Sequence, residues 1–190
     1  ACGRTNFDAF YINIYPITCS ITKNNDVTCF GGSDGSATVT ISGGTGPFNI
    51  LWDDPAAQTT ATATGLTAGT YVVTVTDLNS VTTCTITLDE PNELLPGEIE
   101  ADQVICEGEN VQKFANVTNA SGGDGRIEYQ WQLSSDGITF YDIAGATDKE
   151  YDHGILTVDT WFRRAATSEN LPLCTEYSNA VKVDIVDIDP

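Results

Sequence analysis

Six cysteines, one histidine, one arginine pair and 27 acidic side chains are the groups in this 190-residue chain able to do chemistry. His153 is the sole histidine, so any Ser, His and Asp relay would pass through it, yet its surroundings, Tyr151-Asp-His-Gly154, have the composition of a loop. Paired carboxylates abound, but a glycosidase needs one of its pair raised in pKa inside an apolar cleft, and nothing here marks such a cleft. The cysteines lack short metal-binding spacing, which argues against zinc. No lysine follows the glycine-rich segments, so they are turns rather than phosphate cradles. Neither catalysis nor a cofactor is expected.

Calcium is the metal these acids suit best, because a hard cation takes several oxygens. The candidates are Asp53 and Asp54, and Asp89 and Glu90 at the head of a run that continues through Glu93, Glu98, Glu100 and Asp102. No loop has the regular alternation of a dedicated calcium motif, so a solvated acidic surface is the preferred reading. Arg163 and Arg164 occupy adjacent strand positions; one should face outward and the other pack its stem, with a structural ion pair expected over a ligand contact.

The elements that carry these groups follow from period-two alternation. Ala37, Val39 and Ile41 share one face, opposite Thr38 and Thr40; Tyr71, Val73 and Val75 repeat the pattern, as do Cys84, Ile86 and Leu88. Turns separate them at Gly31 to Gly35, Gly43 to Pro47, Asp53 to Pro55 and Gly65 to Gly69. Further on, Ile127, Tyr129, Trp131 and Leu133 alternate with Glu128, Gln130 and Gln132, and strands are predicted over 160–165 and 180–186. Short strands at this spacing, with no convincing helix, predict an all-β chain of two tandem immunoglobulin-like β-sandwiches.

Eight basic residues against 27 acidic ones leave a formal charge of −19. Such a surface repels phosphate, so nucleic acid and anionic lipid are poor partners. No apolar run approaches the roughly 18 residues of a membrane span. The absence of methionine predicts that a leader was cleaved or that the chain is a piece of something longer.

Cys29, Trp52 and Cys84 in the first half, and Cys106, Trp131 and Cys174 in the second, repeat the order in which immunoglobulin-like domains staple two sheets across a buried indole. The expected disulfides are Cys29 with Cys84 and Cys106 with Cys174, in an oxidising compartment. Cys2 and Cys19 are then unpaired, bridged to each other or intermolecular. Phe10, Ile12 and Ile14 alternate like Val181, Val183 and Ile185, so residues 1–22 read as the last strand of a preceding domain or as a donor strand for a neighbouring subunit. The proline-rich stretch Glu90 to Gly97 reads as a linker, which gives sandwiches at 23–95 and 96–190.

The landmarks Cys29-Phe-Gly-Gly-Ser-Asp-Gly-Ser36, Val39 to Phe48, Trp52, Gly65-Leu66, Ala68-Gly-Thr-Tyr71, Val75-Thr-Asp77, Cys84 and Pro91 resemble the SprB repeat of large surface adhesins of gliding bacteria. The resemblance covers 26–91; the stretch from Asp77 to Cys84 is longer than is usual in that family. In the second half Ile105-Cys-Glu-Gly108, Tyr129-Gln-Trp-Gln132, Ser135-Asp-Gly137, Thr160-Trp-Phe-Arg-Arg164, Cys174 and Ser178-Asn-Ala-Val181 resemble the immunoglobulin-like modules that accompany such repeats. The resemblance implies an exported, extracellular cell-surface section acting as stalk and adhesive surface. Its expected partners are neighbouring repeats or subunits of the same fibre, with surface glycans or solid surfaces as ligands. Two other expectations are a polymerising filament subunit and an accessory carbohydrate-binding module of a secreted enzyme.

Overall fold

A computed structural model of the chain describes residues 16–123, 125–169 and 171–187. Among them every regular element is a strand, as the alternation predicts. The described residues divide into two compact units, one within residues 16–26 and 34–88, the other within residues 27–33 and 89–187.

The first unit has six strands: β1 (Thr18–Asn25), β2 (Gly35–Ser42), β3 (Asn49–Trp52), β4 (Thr62–Leu66), β5 (Gly69–Thr76) and β6 (Val81–Leu88). They form two antiparallel sheets, ordered β1-β2-β4 and β3-β5-β6. Val39 and Ala37 of β2, Ala63 of β4 and Tyr71, Val73 and Val75 of β5 pack with Trp52 in one core. Their threonine neighbours face the other way, with side-chain pairs such as Thr70 to Thr87 and Thr38 to Thr62 laddering neighbouring strands. Trp52 is 1% exposed and its indole N–H donates to the Thr60 carbonyl at 3.0 Å.

The second unit begins where a linker was expected. β7 (Asn92–Leu95) and β8 (Glu98–Ile99) pair with β11 (Ser121–Gly123) and β10 (Asn116–Thr118), so the stretch between Pro91 and Gly97 is part of a sheet, with Leu94 buried. The 95/96 boundary therefore moves to 88/89. Gly122 is required here: its φ is +90°, and a Cβ would lie 1.7 Å from the Glu93 carbonyl oxygen. The opposing sheet holds β9 (Gln103–Cys106), β12 (Ile127–Ser134), β13 (Tyr141–Asp142), β14 (Thr160–Ser168), β15 (Leu171–Tyr177) and β16 (Val181–Val186). Its order is β13-β12-β14-β16-β9, with β15 also on β14 and β9 parallel to β16.

β15 and β16 run along one edge of β14, interrupted at Ser178 to Ala180. Ser178 Oγ accepts the Arg164 N–H, and Asn179 bonds both backbone groups of Ile99, tying the break to β8. The core gathers Phe114, Trp131, Phe162, Val181 and Val183, with the Phe114 and Trp131 rings stacked at 5.6 Å.

One expectation about the chain's start is corrected. Residues 18–22 belong to β1, paired with β2 from Thr18 to Asn25 inside the first unit, so the expected 22/23 boundary falls within a strand. The proposed strand around Phe10, Ile12 and Ile14 lies outside the described residues, as does Cys2.

Candidate functional site

Among the described residues the disulfides are Cys19 with Cys84 and Cys29 with Cys174, in place of the expected Cys29 with Cys84 and Cys106 with Cys174. Cys19 lies on β1 and Cys84 on β6, each the edge strand of its sheet, so the bond closes one flank of the sandwich rather than crossing its centre beside Trp52. Cys29 lies on an excursion, residues 27–33, that leaves β1 and packs in the second unit before returning to β2. There Val27 is buried and its N–H donates to the Asp89 carbonyl, while Glu90 Oε2 accepts the Gly31 N–H at 2.7 Å. Cys106, at the end of β9, is a half-buried free thiol.

The calcium candidates fall in separate units. Asp53 Oδ1 accepts the Val72 N–H. Asp54, 6% exposed, accepts the backbone N–H groups of Ala56 and Gln58 and the Gln58 side-chain amide. Burial raises the Asp54 pKa, but these hydrogen bonds outweigh it and leave the carboxyl below its ordinary value. Such carboxylates organise their own loops: Asp77, whose pKa is lowered to about 2 chiefly by the Thr45 and Asn79 N–H groups, does the same for the turns around it. Among the described residues no group of three or more His, Cys, Asp or Glu side chains is arranged to hold a metal ion.

His153 packs beside Phe162, ring centroids 5.1 Å apart, and its Nδ1 lies 3.1 Å from the Tyr151 hydroxyl. Burial pushes its pKa below the ordinary value, against the opposing pull of Asp152, which favours a neutral ring at pH 7.

The arginine pair divides between inside and outside as alternation requires, but neither member forms the expected ion pair with a described residue. Arg164 is fully buried. One terminal nitrogen donates to Asn116 Oδ1 at 2.8 Å and to the Lys149 carbonyl at 2.6 Å, the other to the Pro96 carbonyl at 3.5 Å, and the guanidinium carbon lies 4.5 Å from the Tyr129 ring. Its Nε has no partner among the described residues, and burial lowers its pKa.

Arg163 points outward. Its Nε donates to Gln132 Oε1 at 2.7 Å, and its guanidinium carbon lies 4.1 Å from the Phe140 ring and 3.8 Å from the Tyr177 ring. Lys182 covers Trp161 on the same sheet and is paired with Asp159 and Asp184. Beyond the adjacency of the two arginines, no sequence signal pointed to this arrangement, since Gln132, Phe140 and Tyr177 come from three separate segments.

Residues 22–57 match the family model of the SprB repeat, and residues 95–187 match a family described as a domain of unknown function, DUF8696. No curated protein matches. Solved structures with similarity include the eight N-terminal immunoglobulin domains of Down syndrome cell adhesion molecule, at 12% identity and a TM-score of 0.41, covering 91% of this chain and 25% of that one. The chain thus spans a quarter of that structure's length. The fibronectin(III)-like modules of Clostridium thermocellum CbhA align at 14% identity and a TM-score of 0.39, over 90% of this chain and 97% of theirs. Domains 4 and 5 of the S-layer protein SbsC align at 16% and 0.32, over 90% and 99%. A SprB-type repeat joined to an immunoglobulin-like module and stapled by two disulfides is the make-up of an extracellular or surface protein.

Proposed function

We propose that this chain, a SprB-type repeat followed by an immunoglobulin-like module, is a non-catalytic, tension-bearing section of an exported cell-surface adhesin that serves in attachment or gliding. The observation that carries the reading is the SprB match together with the Cys29 to Cys174 bond, which spans a sequence separation of 145. Force applied along the backbone enters through β1, reaches Cys29 and crosses the sulfur bridge to Cys174, and the residues between carry no covalent load. A surface protein pulled between cell and substratum gains from such a bypass, because the strands between Cys29 and Cys174 need not be drawn out when the chain is stretched. The acid side chains that hold loops, such as Asp54, and the packed neutral His153 suit a scaffold rather than a reaction centre.

The reading is tested by deleting residues 16–187 in frame from the parent protein in living cells. The expected outcome is a parent protein still exported, as judged by surface labelling, with attachment or gliding reduced severalfold. Unchanged attachment and gliding, with the shortened protein present at the surface, would contradict it.

A further inference from the structure

Arg163 stands on the outward face of the large sheet of the second unit, on β14, which is hydrogen-bonded on both sides. Phe140 immediately precedes β13 and Tyr177 ends β15, strands on opposite sides of β14, so the guanidinium rises between two rings. Its Nε edge is occupied by Gln132, whose amide in turn donates to Asp142 Oδ1 at 2.7 Å. Its two terminal nitrogens have no hydrogen bond to any described residue, and no described carboxylate lies at ion-pair distance. The result is a planar donor fork, flanked by two rings and held along one edge, with its end free of any described partner. An arginine so restrained loses little side-chain freedom on binding, and its end presents two parallel N–H donors at the spacing of a carboxylate.

We propose that this fork binds the carboxylate of a sugar acid, a uronate residue within a largely neutral extracellular glycan. Three observations choose that occupant. The chain's charge of −19 disfavours densely charged polyanions, so the carboxylate must be sparse. β14 is interior to its sheet and offers no free backbone edge, so an extended peptide has no ladder to join there. The rim is amphipathic: Phe140 and Tyr177, the latter 42% exposed, flank the guanidinium, and Gln132 and Asp142 set polar groups beside it on the same face. The proposal deepens the adhesive reading, from which it takes its biological setting, by naming a ligand class.

The test is calorimetric titration of the chain with an oligosaccharide containing one glucuronate, and with the same oligosaccharide after its carboxyl group is reduced to the alcohol. Binding of the acid form is expected, with the reduced form at least tenfold weaker. Arg163→Gln should abolish the preference, and Arg163→Lys, which keeps the charge without the fork, should lose severalfold in affinity. Tyr177→Ala removes one flanking ring and keeps the arginine, so it carries the test if Arg163→Gln fails to fold; a severalfold loss is expected. Equal binding of both oligosaccharides, no binding of the acid form, undiminished binding by Arg163→Gln or Tyr177→Ala, or equal affinity for an aspartate-containing peptide would overturn the proposal. A chain that binds the uronate yet is dispensable for attachment would keep the site and remove the adhesive reading. The reverse pair of results would do the opposite.

Discussion

Cys29→Ser and Cys174→Ser are each expected to cost about 5 kcal/mol, with the loss concentrated in the second unit. The bond closes a sequence separation of 145 residues, and the chain-entropy account gives about 5 kcal/mol for a loop of that size. Cys19→Ser should cost about 4 kcal/mol, since its loop spans 65 residues. The location of the loss follows from the excursion. Without the bridge, the contacts holding residues 27–33 in the second unit include the buried Val27 side chain, worth about 2 kcal/mol, and its bond to Asp89 and the Gly31 to Glu90 contact, each about 1 kcal/mol net. Hydrogen exchange resolves the two units separately, which a single melting temperature would not. Exchange should accelerate in β14, β15 and their neighbours in Cys174→Ser, and in β1 and β6 in Cys19→Ser. Uniform protection in both variants would contradict the disulfide assignment.

Arg164→Ala is expected to destabilise the second unit by about 3 to 5 kcal/mol. The guanidinium is fully buried without a described carboxylate, and its charge is offset by the Asn116, Lys149 and Pro96 oxygens and by the Tyr129 ring. Truncation leaves these acceptors facing a void, each at a cost of about 1 to 3 kcal/mol where water cannot enter, in addition to the lost packing of the stem. Arg164→Met restores most of the volume but none of the donors, so it should recover only the packing part. Arg164→Lys keeps the charge, yet a single ammonium cannot span three acceptors set around a planar fork. A denaturant titration giving losses below about 1 kcal/mol for Arg164→Ala would show that the site is wetter or looser than its geometry implies.

The elements were legible wherever alternation was strict. Val39 and Ile41, Val73 and Val75, Trp131 and Leu133 sit on the strands that their spacing predicts, because one buried face suffices to specify a strand. The repeated Cys, Trp, Cys order was misleading for a physical reason. It locates residues along the chain, whereas bonding depends on which loop leaves its own sandwich, and nothing in Val27 to Ser33 advertises that it packs in the other unit. Pro91 and Pro96 likewise suggest a loose connection, yet buried Leu94 and the pairing of β7 with β11 make the segment between them structural. The division of Arg163 and Arg164 between outside and inside was visible in their adjacency. Their partners were not, since Pro96 and Asn116 lie 68 and 48 residues from Arg164 and meet it only through the sheets. The acidic candidates erred differently: Asp53 and Asp54 cluster in sequence, but their oxygens accept N–H groups of Val72, Ala56 and Gln58.

Whether tension passes through the sulfur bridge rather than through the strands between Cys29 and Cys174 is tested most directly by stretching single molecules by their two termini. Under oxidising conditions only the residues up to Cys29 and from Cys174 onward lie on the loaded path, about 46 in all, so the extended length should reach no more than about 160 Å. After reduction the whole 190-residue chain can be drawn out, to about 650 Å. A full-length extension that is the same before and after reduction would contradict the account.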